Sequence, residues 1–288
     1  MKTNVTVAIP IYRSGKYIRQ CIESLLTQDL RNFEIIIVED PPFDRSESII
    51  ETFKDERITY VQNRTRLGIS GSRNKCVELA NGEYIFWTDG DCTVSNEWLK
   101  RGLESLHDLD CVGVEGRTYY VSEEYEPTFS DGVIENKNGG QFMTCNIAYR
   151  KSVLQKIGGF DDRYTYLEDR DLALRAMKHG KICFNPKMVV CHQKITLRTA
   201  RFVKAGERTR NRVFLYKKLK ERKFILWRIV YPLNLITLIF PPLVFVSLFR
   251  NRYRTKEDFA LFPFVYVRLI YERLSLWNTC AKERVFLI

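Results

Sequence analysis

Neither of the two common glycine-rich phosphate loops occurs in this sequence. No Gly-x-Gly-x-x-Gly follows the first predicted strand, where Pro10-Ile-Tyr-Arg-Ser-Gly15 stands instead, and there is no Gly-Lys-Ser or Gly-Lys-Thr. These absences exclude a dinucleotide-binding arrangement and a P-loop enzyme. Any phosphate group that the protein binds would therefore have to be met by a metal ion and by side chains.

Paired metal-binding cysteines and a signal peptide are also missing. The eight cysteines include no Cys-x-x-Cys pair, which argues against a structural zinc site. The first residues lead directly into a predicted strand, with no apolar leader before it. We therefore expect a cytoplasmic protein whose cysteines are reduced and mostly buried.

The positive charge of the chain is unevenly distributed. The net charge is +11, and hydrophobic residues make up 45% of the 288 positions, which suffices for one large α/β domain or for a domain of about 200 residues with an appendage. Lysine and arginine concentrate at 201–223 and 250–256, on either side of the most hydrophobic segment, 229–249. We therefore expect these basic segments to contact anionic lipid rather than nucleic acid.

Strand and helix patterns alternate along the first two thirds of the chain. This alternation predicts an α/β fold with a parallel or mostly parallel sheet and crossover helices. Strands are predicted at 5–9, 33–38, 58–61, 84–87, 111–114, 139–149 and 188–191, and helices at 16–27, 46–53, 70–80, 95–106, from 151 and at 168–180. The polar segment 123–140 is expected to be a flexible loop that acts as a lid or binds an acceptor.

Polar or acidic side chains stand where three of the predicted strands end. They are Pro10 and Tyr12, Glu39 and Asp40, and Asp89 and Asp91 on either side of a glycine. Because parallel strands present their carboxyl ends at one edge of a sheet, we expect these groups to converge. Two carboxylates so close repel each other unless a cation lies between them, and Mg²⁺ or Mn²⁺ suits their oxygens. The alternative for Asp89-Gly-Asp91 is a plain turn after a strand.

A second acidic group, Glu168, Asp169 and Asp171, opens a predicted helix. Carboxylates at a helix amino terminus are stabilised by the helix dipole, so capping alone would explain them. His192 follows a predicted strand and is one of only three histidines, and a lone histidine is more often structural than a metal ligand. These residue types alone leave both roles open.

Several motifs follow one another in order along residues 4–195. They are Val7-Ala-Ile-Pro-Ile-Tyr12, Phe33-Glu-Ile-Ile-Ile-Val-Glu-Asp40, Gly68 with Arg73-Asn74, Gly82-Glu-Tyr-Ile85 with Asp89-Gly-Asp91, Gly158-Gly-Phe-Asp161, and Glu168-Asp169 with Asp171-Leu172 and Arg175. In this order they resemble the family 2 glycosyltransferases of the GT-A fold. The resemblance implies a Rossmann-like mixed sheet flanked by helices. We place this domain at 1–200 and a basic, hydrophobic and helical membrane-associated region at 201–288.

The resemblance implies a site for a nucleotide-sugar donor and a cation. The donor residues would be Pro10, Tyr12, Glu39, Asp40, Arg73 and Asp89. Tyr12 would stack on the base, and Asp40 would accept a hydrogen bond from a ring nitrogen. Arg73 would lie near the base or the diphosphate, and Asp89 near the ribose or the metal. Asp91 would hold the Mg²⁺ or Mn²⁺ that bridges the diphosphate.

The resemblance also implies residues for the acceptor side of the reaction. Asp169 would be the general base that deprotonates the acceptor hydroxyl as its oxygen attacks the anomeric carbon. Glu168 would orient the acceptor or neighbouring groups. His192 stands where many GT-A enzymes supply a metal ligand. Because members of the family invert the anomeric configuration, an α-linked donor should give a β-linked product.

Two departures from the family pattern bear on the choice of base. Pro41-Pro42 follows Asp40 where the family usually has glycine and serine, and Arg13 follows Tyr12 where asparagine is common. The loop under the base is therefore stiffer and differently shaped. Uridine is the expected base because it is the commonest in the resembled family, and guanosine stays open.

The uncharged segment 229–249 has nearly the length of a membrane-spanning helix, but Pro241-Pro242 lies in its middle. Because positive residues flank both ends, we favour a re-entrant or in-plane helical hairpin over a single span, with a buried helix pair as the alternative. Segment 259–271 would add an aromatic interfacial surface. This interpretation places the enzyme at the cytoplasmic face of the cell membrane, with a lipid-linked sugar or another glycan as acceptor.

Three other functions fit part of the sequence. A nucleotidyltransferase acting on sugar phosphates can share the sheet and the paired aspartates, but the glycine-rich basic loop that it normally carries is absent. A nucleic-acid-binding protein would use the basic run 201–223, but no recognition motif accompanies that run. A catalytically silent protein of this fold is disfavoured by the presence of Asp89, Asp91 and Asp169.

Overall fold

The computed structural model describes residues 4–108, 111–222 and 224–288, without the side chains of residues 108, 247 and 250. Lys223 and the side chain of Arg250, both counted above among the basic residues, therefore lie outside the described part. The chain divides into two compact units, unit 1 with Met1–Glu123 and Ile134–Gln193, and unit 2 with Glu124–Val133 and Lys194–Ile288. The division into domains at 1–200 and 201–288 stays a prediction.

Unit 1 is an α/β structure built on one mixed sheet, which confirms the predicted fold class. In the described residues its strands are β1 Val5–Ile11, β2 Phe33–Glu39, β3 Ile58–Gln62, β4 Tyr84–Trp87, β5 Cys92–Val94, β6 Gly113–Tyr120, β7 Ile147–Arg150 and β8 Ile182–His192. They lie in the order β3-β2-β1-β4-β7-β6-β8-β5. The first four of these are parallel, and β7 runs antiparallel to both of its neighbours. The helices are α1 Ile18–Leu26, α2 Ser46–Ile50, α3 Gly68–Leu79, α4 Trp98–Asp108, α5 Lys151–Lys156 and α6 Glu168–Ala176.

The centre of the sheet is buried on both faces. All seven residues of β1 are buried. Val7 and Ile9 pack in one apolar cluster, and Ala8 packs in the other. Because consecutive strand residues point to opposite faces, an uninterrupted apolar strand needs cover on both sides. Helix α1 covers the first face with side chains spaced three and four residues apart: Ile18, Cys21, Ile22 and Leu25.

Strand register brings the ends of three parallel strands to one edge of the sheet. Ile11 at the end of β1 pairs with Glu39 at the end of β2, and Ala8 of β1 pairs with Trp87 at the end of β4. The residues that follow these strands therefore lie along a single edge, which is where open α/β sheets bind ligands.

The strand predicted at 139–149 is wrong over its first part, since β7 begins only at Ile147. The backbone N–H groups of Gly140, Gln141 and Phe142 all donate to the buried carboxylate of Glu115. Phe142 has a left-handed backbone conformation, with φ +58°. Because these N–H groups converge on one side chain, they cannot form the ladder of a strand.

Cys111 and Cys183 form a disulfide, so the expectation that all cysteines are reduced is wrong for this pair. The remaining cysteines are free thiols within the described residues. Five of them are buried and Cys191 is half-buried, as expected for thiols that pack like small apolar side chains.

Unit 2 is largely helical. Its described elements are α7 Thr199–Lys204, a 3₁₀ turn Ala205–Thr209, α8 Arg210–Leu219, β9 Ile225–Leu226, β10 Ile229–Val230, α9 Pro232–Ile239, a 3₁₀ turn Pro241–Phe245, α10 Val246–Arg250, α11 Lys256–Leu261 and α12 Phe264–Glu283. The buried carboxylate of Asp258 accepts hydrogen bonds from Ser130 N at 2.6 Å and Thr128 Oγ1 at 2.8 Å. Asp258 therefore anchors residues 128–130, which lie in the segment predicted to be a flexible loop.

The apolar segment 229–249 does not form one continuous helix. Helix α9 ends at Ile239, and Pro241 starts the 3₁₀ turn, because proline has no N–H to donate to a continuing helix. Among the residues that the structure describes, no helix has both the length and the apolar composition needed to cross a membrane.

Gly82 offers a test of how tightly β1 packs. An added Cβ would lie 2.5 Å from Thr6 N and 2.7 Å from Val5 C, both backbone atoms of the central strand. Gly82→Ala should therefore lower the free energy of unfolding by about 1–3 kcal/mol in urea denaturation. The neighbouring change Glu83→Ala removes an exposed side chain and should shift it by less than about 0.5 kcal/mol. Equal stability of the two variants would contradict this close approach.

Candidate active site

A cavity of about 250 Å³ opens at the carboxyl ends of β1 and β2. Its lining residues are Pro10, Ile11, Tyr12, Asp40, Arg66, Gly68, Ile69 and Ser72. The ring of Tyr12 is 43% exposed, and the guanidinium carbon of Arg66 lies 4.8 Å from its centroid. An exposed aromatic ring beside a cation suits a planar, electron-rich base. Sequence reasoning missed Arg66, because it lies in a loop with no motif of its own.

Asp40 lines this cavity and also fixes the loop that closes it. Its carboxylate accepts hydrogen bonds from Gly68 N at 2.6 Å, Asn63 Nδ2 at 2.7 Å and Leu67 N at 3.1 Å. Three donors hold one carboxylate in a single orientation. Asp40 thereby positions residues 63–68, a role that the sequence did not reveal.

Glu39 does not line this cavity. Its carboxylate accepts hydrogen bonds from Tyr60 Oη and, at 3.4 Å, from Gln62 Nε2 on β3. Burial raises the pKa of Glu39. These bonds direct the Glu39 side chain toward β3, away from the cavity that Asp40 lines. The structure thus brings Asp40, Tyr12 and Pro10 together and leaves Glu39 outside the group.

A buried ion pair connects this edge of the sheet to helix α6. Arg73 on α3 lies 2.6 Å from Glu168 Oε1 and 3.8 Å from Asp89 Oδ1. Burial alone would lower the pKa of Arg73, but the charges of Glu168, Asp89 and Asp169 raise it above its usual value. A guanidinium ion among several carboxylates stays charged and offsets their mutual repulsion.

The residue after Arg73 binds the turn that precedes α6. Asn74 Oδ1 accepts from Phe160 N at 2.8 Å, and Asn74 Nδ2 donates to Phe160 O at 2.9 Å. A Cβ on Gly159 would lie 2.4 Å from Asn74 Oδ1, and Gly159 has φ +65°, so only glycine fits there. Arg175 donates to Gly159 O at 2.7 Å and to Asp171 at 2.7 Å. Two motifs far apart in the sequence therefore form one rigid unit.

Asp169 lies in the first turn of α6, after Leu167 with φ +70°. Its carboxylate accepts from Arg170 N at 2.7 Å. Burial and the charge of Glu168 raise the pKa of Asp169 to about 7, against the opposing effect of Arg73. Helix capping does not explain this raised pKa. A carboxyl group with a pKa near neutrality is suited to proton transfer.

Asp91 and His192 are brought together by the pairing of β5 with β8, in which Cys92 lies opposite His192. Asp91 Oδ1 and His192 Nε2 are 3.4 Å apart. His192 Nδ1 lies 2.8 Å from Gln193 O, so this nitrogen donates to the carbonyl, and in the neutral form of the ring Nε2 presents a lone pair to the carboxylate. Two electron-rich atoms facing each other, with the ring fixed by a backbone carbonyl, fit a divalent cation.

Asp89 lies on the opposite side of Gly90, next to Arg73. Burial and the charge of Asp91 raise the pKa of Asp89, while Arg73 lowers it. A Cβ on Gly90 would lie 2.9 Å from Ile11 Cγ2, so the glycine also lets the turn pack against the end of β1. The two aspartates thus have different partners, Arg73 for Asp89 and His192 for Asp91.

The mixed sheet, with polar side chains gathered where its parallel strands end, has the architecture of the GT-A fold. Residues 6–158 match the family model Glycosyl transferase family 2, and residues 117–272 match the model Glycosyl transferase family group 2. The chain belongs to glycosyl transferase family 2. Membership of this family makes it a glycosyltransferase.

The similar proteins include named glycosyltransferases. The chain is 30% identical over 175 residues to WfaP of Escherichia coli, a UDP-Glc:alpha-D-GlcNAc-diphosphoundecaprenol beta-1,3-glucosyltransferase. The aligned region covers 59% of this chain and 68% of WfaP. The chain is 31% identical over 131 residues to the glycosyltransferase GlyG of Streptococcus pneumoniae, covering 45% of this chain and 43% of GlyG. The chain thus spans less than half of GlyG.

Solved structures share the fold at low sequence identity. The mannosyltransferase PcManGT of Pyrobaculum calidifontis, in complex with GDP-Man and Mn²⁺, is 16% identical, with a TM-score of 0.63 over 98% of this chain and 88% of that one. TarS 1–349 of S. aureus, in complex with UDP-GlcNAc, is 14% identical, with a TM-score of 0.59 over 98% of this chain and 93% of that one.

The buried ion pair generates a stability prediction. Arg73→Met leaves Glu168 and Asp89 uncompensated and should lower the free energy of unfolding by about 3–5 kcal/mol, measured by chemical denaturation. The control is Arg101→Met on α4, where the arginine also contacts two carboxylates, Glu97 and Glu104, but its side chain is 25% exposed, against 5% for Arg73. Its free energy of unfolding, measured in the same way, should stay close to that of the unaltered protein. Similar losses in both variants would show that burial of Arg73 is unimportant.

Proposed function

We propose that this protein is an inverting glycosyltransferase that transfers a sugar from a UDP-sugar to a hydroxyl of a lipid-linked or glycan acceptor at the cytoplasmic membrane face. The observation that carries the proposal is Asp169. Its carboxylate titrates near neutral pH and is electrostatically coupled, through Arg73 and Asp89, to the edge of the sheet that holds the donor cavity.

The reaction needs one proton to be removed. The acceptor oxygen forms a bond to the anomeric carbon while the bond from that carbon to the nucleoside diphosphate breaks, and Asp169 takes the hydroxyl proton. A base with a pKa of about 7 is ionised in a large fraction of molecules at neutral pH and accepts a proton more readily than an ordinary carboxylate. Attack from the face opposite the leaving group inverts the configuration.

The donor would occupy the cavity at the ends of β1 and β2. Tyr12 would stack on the base with Arg66 beside its ring, and Arg73 would face the diphosphate. Asp91 and His192 would hold Mg²⁺ or Mn²⁺, with Asp89 nearby, and the bound cation would stabilise the charge of the departing diphosphate. Uridine is supported by WfaP, whose name specifies UDP-Glc.

The membrane part of the proposal is supported by unit 2. In this unit Trp227 and Phe249 are 88% and 91% exposed. Helix α12 also exposes a stripe of apolar side chains spaced three and four residues apart: Val267, Ile270, Tyr271, Leu274 and Trp277. Exposed basic residues accompany them, among them Arg222 and Arg228. Apolar and basic side chains together suit an anionic lipid surface. The name of WfaP likewise specifies an acceptor linked to a polyprenyl diphosphate.

The role of Asp169 predicts a pH dependence. Only the ionised carboxylate accepts a proton, so kcat/KM for nucleoside diphosphate release should fall as the pH drops below about 7, the pKa of Asp169. Glu168 raises that pKa, so Glu168→Gln should move the acid limb of the profile to lower pH. An acid limb that does not move in this variant would argue against Asp169 as the titrating group.

Asp169→Asn should lower kcat by roughly 10²–10⁴-fold, while calorimetry with the nucleoside diphosphate should show donor affinity within about twofold, since the residue faces the acceptor. The matched control is Asp162→Asn, an exposed aspartate in the preceding loop, which should keep full activity. Full activity of Asp169→Asn would exclude the general-base role.

Vesicle flotation tests the membrane proposal. The protein should bind vesicles that contain phosphatidylglycerol more strongly than vesicles of phosphatidylcholine alone. Trp227→Ser combined with Phe249→Ser should weaken binding at least about tenfold, because each side chain contributes roughly 1.5–3 kcal/mol when removed from water. The control Met177→Ser alters a side chain of unit 1 that is 45% exposed and should have no effect. Absence of vesicle binding by the unaltered protein would refute this part of the proposal.

A further inference from the structure

A thiol lies beside the cation ligands of the candidate site. Cys92 begins β5, directly after Asp91, and pairs with His192 on β8. Directly opposed residues of an antiparallel pair place their side chains on the same face of the sheet. One ligand atom each from Asp91, Cys92 and His192 therefore lies within 4.8 Å of the others. Sequence reasoning missed Cys92, because no paired cysteine spacing marks it.

The spacing of these atoms fits a tetrahedral cation. Zinc bonds of about 2.3 Å to sulfur and 2.0–2.2 Å to nitrogen and oxygen place neighbouring ligand atoms roughly 3.3–3.6 Å apart. Asp91 Oδ1 and His192 Nε2 are already 3.4 Å apart. Only the sulfur has to approach, and it starts no more than 4.8 Å from the other two ligand atoms.

The chemistry of the three groups separates two classes of cation. Mg²⁺ and Mn²⁺ prefer oxygen ligands and gain little from sulfur, whereas Zn²⁺ and Co²⁺ bind thiolate and imidazole readily. The side chain of Cys92 is 1% exposed, so any cation bound to its sulfur would be shielded from solvent on that side.

We propose that Cys92 is a third protein ligand, with Asp91 and His192, for a thiophilic divalent cation of the Zn²⁺ class. Cys92 loses its proton to solvent as the sulfur–metal bond forms. The same site would then bind Mg²⁺ or Mn²⁺ through Asp91 and His192 alone. This inference rests on the cation site of the proposed function and adds a second mode of binding to it. Three protein ligands leave fewer coordination positions for a diphosphate, so Zn²⁺ should inhibit the reaction that Mn²⁺ supports.

Cobalt reports the sulfur–metal bond without any assay of activity. Co²⁺ added to the full-length protein should produce a near-ultraviolet band from sulfur-to-cobalt charge transfer, and this band should be lost in Cys92→Ser and in Cys92→Ala. The matched control is Cys191→Ser, because Cys191 neighbours His192 on β8 but pairs with Thr93 instead. This variant should keep the band. Circular dichroism checks that each variant is folded.

Competition with a chromophoric chelator measures the affinity for Zn²⁺. Cys92→Ser should weaken Zn²⁺ binding at least about tenfold, while Mn²⁺ binding, followed by the electron paramagnetic resonance signal of free Mn²⁺, should change less than about twofold. A missing charge-transfer band, or equal Zn²⁺ affinity in Cys92→Ser, overturns the proposal.

Mn²⁺ binding separates failure of this inference from failure of the proposed function. If Mn²⁺ binds and His192→Ala weakens that binding, the cation site of the transferase stands even when no sulfur bond is found. If the unaltered protein binds neither Mn²⁺ nor Co²⁺, both proposals fail together.

Discussion

The candidate site depends on one buried arginine. Catalysis with a charged donor calls for several carboxylates in a small volume, and such groups repel each other when they are removed from water. Arg73 lies 2.6 Å from Glu168 and 3.8 Å from Asp89. The charge of Asp169 also raises the pKa of Arg73. The guanidinium ion joins helix α3, the end of β4 and helix α6. Without it the acidic groups would have to separate or take up protons, and either change would destroy the site.

Hydrogen bonding to backbone groups holds this ion pair in place. Asn74, the residue after Arg73, binds both backbone groups of Phe160, and Arg175 binds the carbonyl groups of Ile157 and Gly159. Helix α6 therefore begins at a fixed distance from α3. A sub-ångström tolerance between a base and a reacting hydroxyl needs supports of this kind, because a misplacement of about 1 Å can cost 10²-fold in rate.

The sequence predicted the features that depend on local order. Apolar strands that end at Asp40 and at Asp89 follow from alternation and turn residues, and their convergence follows from parallel pairing. Contacts across long sequence separations were not predictable, since no local signal records them: Arg73 meets Glu168 over 95 residues, and the β5–β8 register brings Cys92 to His192. The same limit explains why the strand predicted at 139–149 was wrong over its first part. The backbone N–H groups of Gln141 and Phe142 donate to Glu115, which is distant in the sequence.

The two sides of the site are linked by charge as well as by contacts. The charge of Asp89 is one of the causes that raise the pKa of Asp169, and Arg73 opposes it. Any change that neutralises Asp89 therefore weakens a repulsion that keeps Asp169 protonated, and a larger fraction of Asp169 becomes ionised at a given pH. A change of charge on the donor side of the sheet edge thus alters the ionisation of the carboxylate on the acceptor side. The fraction of Asp169 that is ionised, and its basicity, therefore both depend on the charges that Arg73 and its neighbouring carboxylates carry.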